Sequence, residues 1–259
     1  MIKLVLFDID ETLLSHQIQR IPQDTLEAVE ALHRNNCMVA IATGRGPKGV
    51  STEIMESIRP DYLIAGNGQL VMNNKEEILN IHYLTNEQID RVTEFALKHR
   101  CVLFWKFLSA SYVYSGYEVV KKWTLAGSWG LQDCPQHDRH HYEKCLGGAI
   151  DQTESKKYSL PEMFPDLDFF TYSSNGADIN QKGINKGTGL ADLLKDLKIT
   201  PEECMAFGDS SNDIAMIKKA GIGIAMGNAI PELKQQADYV TTSILDQGIS
   251  NALKHFKLI

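Results

Sequence analysis

The chain has 259 residues, a formal net charge of −7, 43% hydrophobic residues and 23% charged residues, the profile of a globular protein with one large or two modest domains. No Lys/Arg block offers a nucleic-acid surface, and no apolar run approaches the ~18–20 residues of a membrane span, so neither nucleic acid nor a membrane is an expected partner. The start shows no leader pattern, and the five cysteines (Cys37, Cys101, Cys134, Cys145, Cys204) lack any C-x-x-C, which fits reduced thiols in the cytoplasm.

Leu4–Phe7 is a short apolar run with the length of a buried strand, and it ends on Asp8 and Asp10 with one apolar residue between them. Side chains i and i+2 of a strand share a face. Two carboxylates so close are costly without a cation or a shared proton. Ile21–Asn35 reads as a helix with Leu26, Val29 and Leu32 on one stripe. Cys37–Ala42 is a second strand, followed at once by Thr43-Gly44-Arg45. Pro47–Ile58 reads as a helix and Tyr62–Ala65 as a third strand before the turn Gly66-Asn67-Gly68. Alternation of this kind implies a parallel sheet with right-handed crossovers.

The style then changes. Gln69–Met72 and Glu77–Ile81 read as a hairpin around Asn73-Asn74. Thr85–Arg100 is a helix opening with a Thr85/Gln88 capping box. Val102–Phe107 and Tyr112–Tyr114 read as paired strands, and Val119–Trp129 as a helix. Residues 127–157 are polar and show no period. Asp168–Ser174 and Ala177–Asn180 read as another hairpin. A strand-rich block between two α/β blocks suggests an insertion over 82–182, leaving 1–81 and 183–259 as one discontinuous core. In the second core block Lys186–Leu197 is a leucine-striped helix. Met205–Phe207 leads into Gly208-Asp209-Ser210-Ser211-Asn212-Asp213 and a helix to Lys219. Ile222–Ala225, Tyr239–Thr241 and a helix near Ile249–His255 close the chain.

Acids, a hydroxyl and an ammonium therefore cluster at segment ends: Asp8 and Asp10, Thr43, Lys186, Asp209 and Asp213. Phosphoryl transfer uses such a set. A carboxylate attacks phosphorus, a second carboxyl moves protons, Mg²⁺ takes few carboxylates, and a hydroxyl and an ammonium hold the remaining oxygens. Uncatalysed phosphate-monoester hydrolysis is so slow that accelerations reach ~10²¹-fold, which a lone carboxylate pair could not supply.

These motifs resemble those of the haloacid dehalogenase superfamily, in its Cof-type phosphatase branch with a large α/β cap. Asp8, Asp10 and Thr12 match D-x-D-x-T, and Thr43 in A-T-G-R matches the second motif. Lys186 in N-K-G matches the third, and Gly208, Asp209, Asn212 and Asp213 match G-D-x-x-N-D. Ala225–Ala229 and Ala237–Thr241 resemble the Cof-type tail. Glu11 and Ser210 stand where the family most often has Gly; Glu11 is expected either to alter the local turn or to tie down the loop.

The resemblance implies an α/β fold, a Rossmann-like parallel-sheet core carrying an inserted α/β cap. It implies Asp8 as nucleophile and Asp10 as general acid/base. Mg²⁺ is expected on Asp8, the carbonyl of Asp10 and Asp209, and the phosphoryl group on Thr43, the Gly44 amide, Lys186 and Asn212. Asp213 is expected to orient Lys186 or a metal-bound water. The expected substrate is a small phosphorylated metabolite, such as a sugar phosphate, handled by a monomer or homodimer.

A phosphomutase on the same scaffold is one alternative. A non-enzymatic phospho-receiver is another, although such modules are about half this length and Asp61 begins the third strand rather than ending it. The cap is expected to choose the leaving group. Trp105, Lys106, Tyr112, Tyr114 and Trp123 are candidates to line it, set against an ordinary role in the cap's own core. Gly221, Gly223 and Gly227 lie across a strand and do not suit dinucleotide binding. The run Cys134, His137, His141, Cys145 has no standard zinc spacing and reads as a polar loop.

Overall fold

The computed structural model describes residues 1–123, 131–152 and 157–259. Strand β1 (Leu4–Phe7) is fully buried, as its unbroken apolar run requires. Helix α1 (Gln23–Arg34) presents Ala28, Val29 and Leu32 to the core. Strand β2 (Met38–Ala42) follows. The single helix expected over 47–58 is instead two pieces, a 3₁₀ turn over Pro47–Gly49 and helix α2 (Thr52–Ile58). The break lies at Ser51, whose hydroxyl accepts the Ile54 amide and starts the second piece as an N-cap. Strands β3 (Tyr62–Ala65), β4 (Leu70–Asn73) and β5 (Ile78–Ile81) complete the first block, with β4 and β5 forming the expected hairpin.

Helix α3 (Asn86–His99) opens on the Thr85/Gln88 capping box. Strands β6 (Val102–Lys106) and β7 (Ser111–Ser115) pair antiparallel. Helix α4 (Tyr117–Trp123) covers the first half of the helix expected at 119–129; the rest lies outside the described residues. The stretch 127–157, which showed no period, contains β8 (Leu131–Asp133) and β9 (Gly147–Asp151). A short helix α5 (Leu160–Met163) precedes the expected hairpin, β10 (Leu167–Thr171) and β11 (Gly176–Gln181).

Helix α6 (Lys186–Leu197) is capped by Asn185, whose side chain accepts the Gly187 and Thr188 amides. Strand β12 (Cys204–Gly208), helix α7 (Ile214–Lys219), β13 (Ile222–Ala225), the unanticipated helix α8 (Pro231–Gln236), β14 (Tyr239–Val240) and α9 (Gly248–His255) end the chain.

Among the described residues the strands form two sheets. The first has eight strands in the order β14-β13-β12-β1-β2-β3-β4-β5, and the six from β14 to β3 run parallel. The second has six, β10-β11-β9-β6-β7-β8, all drawn from 102–181. One face of the second sheet buries Leu103, Trp105, Ile150 and Ile179 together with Ile89 and Val92 of α3. Among the described residues, no helix is long and apolar enough to cross a membrane, and the five cysteines are buried and free.

Strand order decides what meets at the carboxyl edge. β1 lies between β2 and β12, with Phe7 level with both Ile41 and Phe207. The residues just past these three strands are Asp8, Thr43 and Asp209. Ligands of open parallel sheets sit at that edge.

Candidate active site

Asp8 leaves β1 with its amide still bonded to the Phe207 carbonyl, at 3.1 Å, and its side chain is 7% exposed. Lys186 arrives on the first turn of α6 and is fully buried. Its Nζ lies 2.6 Å from Asp8 Oδ1 and 2.6 Å from Asp213 Oδ1. Asp213 Oδ2 accepts the backbone amides of Asp209 and Ser210, each at 3.0 Å. Thr12 donates its hydroxyl to Asp209 Oδ1 at 3.1 Å. Oxygens of Asp8, Asp209 and Asp213 lie within 4.8 Å of one another.

Burial raises the pKa of the Asp8 carboxyl above the usual range; Lys186 pulls it down, while Asp213 and Asp10 add to the rise. Burial also raises Asp209, helped by the charges of Asp8 and Asp213. Burial opposes the charge on Lys186, but the attraction of Asp213 and Asp8 outweighs it, so the ammonium stays protonated. One cation thus faces three crowded acids, the excess negative charge that a divalent ion relieves. An all-oxygen set of this size suits Mg²⁺.

Asp10 stands outside this cluster but on the same cavity. Arg45 grips it in two bonds, Nε to Oδ2 at 3.0 Å and Nη2 to Oδ1 at 2.5 Å, and His16 Nε2 lies 2.8 Å from Oδ1. Burial pushes this carboxyl up, but the hydrogen bonds from His16 and Arg45 and their charges hold it well below the usual carboxylate range. Arg45 is 13% exposed and ion-paired to Asp10.

Glu11, where the family most often has Gly, has φ 61°, in the left-handed region that favours glycine. Its placement is held by the loop: Oε1 accepts the His16 amide at 2.8 Å, and its carbonyl accepts Asn228 Nδ2 at 2.8 Å. Of the two expected outcomes, the side chain therefore ties down the loop.

A cavity of about 460 Å³ opens above this edge, lined by Asp8, Asp10, Gly44, Asp209 and Asn212 from below. Thr43 is fully buried at the end of β2, with Oγ1 accepting the Arg45 amide at 3.1 Å. Asn212 sits on the 3₁₀ turn Ser211–Asp213, held by Ser210 Oγ and by Asn67. The structure thus brings Asp8, Asp209, Asp213 and Lys186 into contact and sets Gly44 and Asn212 on the same cavity.

The second sheet roofs the cavity with Phe104, Lys106, Phe170, Tyr172 and Asp178 among others. Of the lining candidates whose side chains are described, Lys106 alone reaches it. Trp105 is fully buried on the opposite face, its indole donating to Thr93 at 3.1 Å. Tyr114 is buried against His140, and Tyr112 packs on Phe107 and Arg139. The side chain of Trp123 lies outside what is described. Strand parity was the missed signal: if Lys106 faces the cavity, Phe104 must as well and Trp105 must not.

The Cys134, His137, His141, Cys145 run does not converge. Cys134 Sγ faces Asp138, and Cys145 Sγ bonds the carbonyls of Lys106 and Gly147. His141 instead lies beside Asp90 and His140, and His140 already uses Nδ1 on Tyr114 and Nε2 on Asp90.

Comparison with known proteins supports the family resemblance and the fold. The sequence profile of the haloacid dehalogenase-like hydrolases matches residues 5–253. The chain is 30% identical to the 5-amino-6-(5-phospho-D-ribitylamino)uracil phosphatase of Bacillus subtilis (strain 168), covering 99% of this chain and 96% of that protein. It is 31% identical to the HMP-PP phosphatase of Klebsiella pneumoniae (strain 342), again over 99% and 96%. The fold superposes on the subclass IIB sugar phosphatase BT4131 with a TM-score of 0.88 at 31% identity, covering 99% of this chain and 100% of that one. The chain belongs to the haloacid dehalogenase superfamily, as one of its Cof-type phosphatases.

Proposed function

We propose that this phosphatase hydrolyses phosphate monoesters of small metabolites with Mg²⁺, through a phosphoryl group carried on Asp8. The observation that carries this is the convergence of Asp8, Asp209 and Asp213, with the Lys186 ammonium bonded to Asp8 and Asp213, beneath a cavity that Asp8 and Asp209 line. Mg²⁺, when bound by Asp8, Asp209 and the carbonyl of Asp10, would supply positive charge to the phosphoryl oxygens.

Asp8 Oδ attacks phosphorus as the ester bond breaks, and Asp10, having taken up a proton from solvent at the expense of its Arg45 and His16 bonds, delivers it to the leaving oxygen. Asp10, now a carboxylate, takes a proton from water as the water displaces Asp8 and releases phosphate. The bonds from Arg45 and His16 favour the ionised form that this second half needs. Thr43, the Gly44 amide, Lys186 and Asn212 hold the transferring group, and Asp213 keeps Lys186 in place. On this reading residues 1–81 and 183–259 are the catalytic core, and 82–182 are a cap whose second sheet meets the leaving group.

A cavity of about 460 Å³ favours a leaving group of metabolite size, the class to which the names of the relatives point. The same reading assigns a cytoplasmic setting, in keeping with five free, buried thiols.

The test is phosphate release from p-nitrophenyl phosphate and a panel of sugar phosphates. Release should require Mg²⁺ and stop with a chelator. An isomeric sugar phosphate as product would mean a mutase, and a long-lived acyl phosphate without turnover would mean a receiver.

The metal site has a separate, catalysis-free readout. Raised carboxyls bind more protons in the folded chain than in the unfolded one, so without metal stability should fall as pH rises from about 4 through the raised values. A divalent ion takes the deprotonated pair and offsets that loss. Thermal melts should therefore show a larger Mg²⁺-induced rise at pH 8 than at pH 5.5. An equal or smaller rise at pH 8 would count against these ligands.

A further inference from the structure

The turn Gly66-Asn67-Gly68 is a sequence signal that the proposed chemistry leaves unused. All three residues have positive φ, at 59°, 52° and 96°. Gly68 leaves no room for a side chain, since a Cβ there would stand 2.1 Å from the Asn185 carbonyl oxygen at the head of α6. Asn67 is fully buried, and its side chain joins two parts of the chain. Its Nδ2 donates to Asp178 Oδ2 on β11 at 2.9 Å, and its Oδ1 accepts from Asn212 Nδ2 at 3.0 Å.

The links continue on the β11 side. Asp178 forms a buried ion pair with Lys106 of β6, and Lys106 Nζ donates to the Gly44 carbonyl at 2.8 Å. A Cβ on Gly44 would stand 2.6 Å from Asp178 Oδ2, so that carboxylate rests on the Gly44 backbone. Asn180, two residues along β11 on the same face, donates to the Gly66 and Asn67 carbonyls at 3.0 and 3.1 Å. The second sheet therefore reaches two of the four residues proposed to hold the phosphoryl group, Gly44 directly and Asn212 through Asn67.

We propose that Asn67 is a positioning residue: its amide fixes the Asn212 side chain for the phosphoryl group while the Asp178–Lys106 pair is seated against it, so that seating the cap and completing the phosphate grip are one event. The inference rests on Asn212 as a phosphoryl-binding residue. The physical basis is the two N–H donors of an Asn amide. With one held by Asn67, the direction of the other is set, and orientation need not be fixed when substrate arrives. Lys106 neutralises Asp178, which would otherwise repel an anionic substrate at close range.

The variants are Asn67→Gly and Asn67→Asp. Glycine adopts positive φ without strain, so the turn survives while the amide is lost. Aspartate keeps an acceptor for Asn212 but sets a carboxylate against Asp178. Each is measured alone and in an Asn212→Ala background, by kcat and KM for p-nitrophenyl phosphate and by the inhibition constant of inorganic phosphate with Mg²⁺. Asn67→Gly should raise that constant about tenfold and lower kcat/KM by at least about tenfold, the scale of one charge-assisted hydrogen bond. In the Asn212→Ala background its effect should shrink to within about twofold. Asn67→Asp should lose nearly as much as Asn67→Gly, because the seat for Asp178 is gone.

Full, additive losses in the double variant would overturn the proposal. So would a lowered Tm with an unchanged phosphate constant, which marks a merely structural role. If the parent binds phosphate by calorimetry but releases none from esters, the phosphatase reading fails while the same cycle, read as phosphate Kd, still decides the coupling. A parent that binds no phosphate overturns both.

Discussion

Asp8→Asn is expected to lower phosphate release by at least about 10³-fold, the scale of losing a nucleophile, with little harm to the fold. The two side chains have nearly the same shape. The amide removes one of three crowded acids, and Lys186 keeps its 2.6 Å contact with Asp213. The metal-free variant should therefore melt within a few degrees of the parent. The informative measurement is turnover of p-nitrophenyl phosphate beside a thermal melt. Activity close to the parent's would move the nucleophile away from Asp8 and remove the basis for the aspartyl-phosphate reading. Lost activity with a collapsed melt would say only that the cluster holds the fold.

The largest stability effect should come from Lys186→Met. Methionine matches the length of the stem and carries no charge. Lys186 is fully buried between two carboxylates, so its removal leaves like charges facing each other without a cation. Breaking a buried pair in this way costs about 3–5 kcal/mol, a fall in Tm of roughly 6–20 °C for a chain of this size. Turnover should drop by at least about 10²-fold, because the positive group proposed to hold the transferring oxygens is gone. Adding Asp213→Asn should recover part of the lost stability and none of the activity, since it relieves the repulsion but restores no ammonium. An unchanged melt for Lys186→Met would show that the three groups are not paired as described.

Much of this was readable in the residues. β1, β2 and β12 are buried on both faces, so each is a continuous apolar run with its chemistry-bearing residue directly after it. Helix α6 begins at Lys186 as expected, because Asn185 is a local cap and the leucines repeat at helical spacing. Other elements were hidden by local composition. β9 lies inside the second sheet, yet Gly147, Gly148 and Ala149 carry almost no strand propensity. Their smallness is a tertiary demand: a Cβ on Gly148 would stand 2.4 Å from the Trp105 ring. The break near residue 50 was masked by apolar spacing at Val50, Ile54 and Ile58, although Ser51 carried the capping signal.

The same division runs through the site. The chemical inventory, with acids, hydroxyl and ammonium at strand and helix ends, is legible in the residues because each motif residue is contiguous with the element that positions it. Packing between distant segments sets the rest: Arg45 and His16 hold Asp10, Asn67 links Asn212 to Asp178, and Lys106 and Phe104 rather than Trp105 face the cavity. Those outcomes depend on which face of a strand points inward, and in the second sheet that is set by pairing β6 with β7 and β9, and β11 with β9 and β10. A shift of one residue in such a pairing would turn every side chain to the other face, and no local pattern records it.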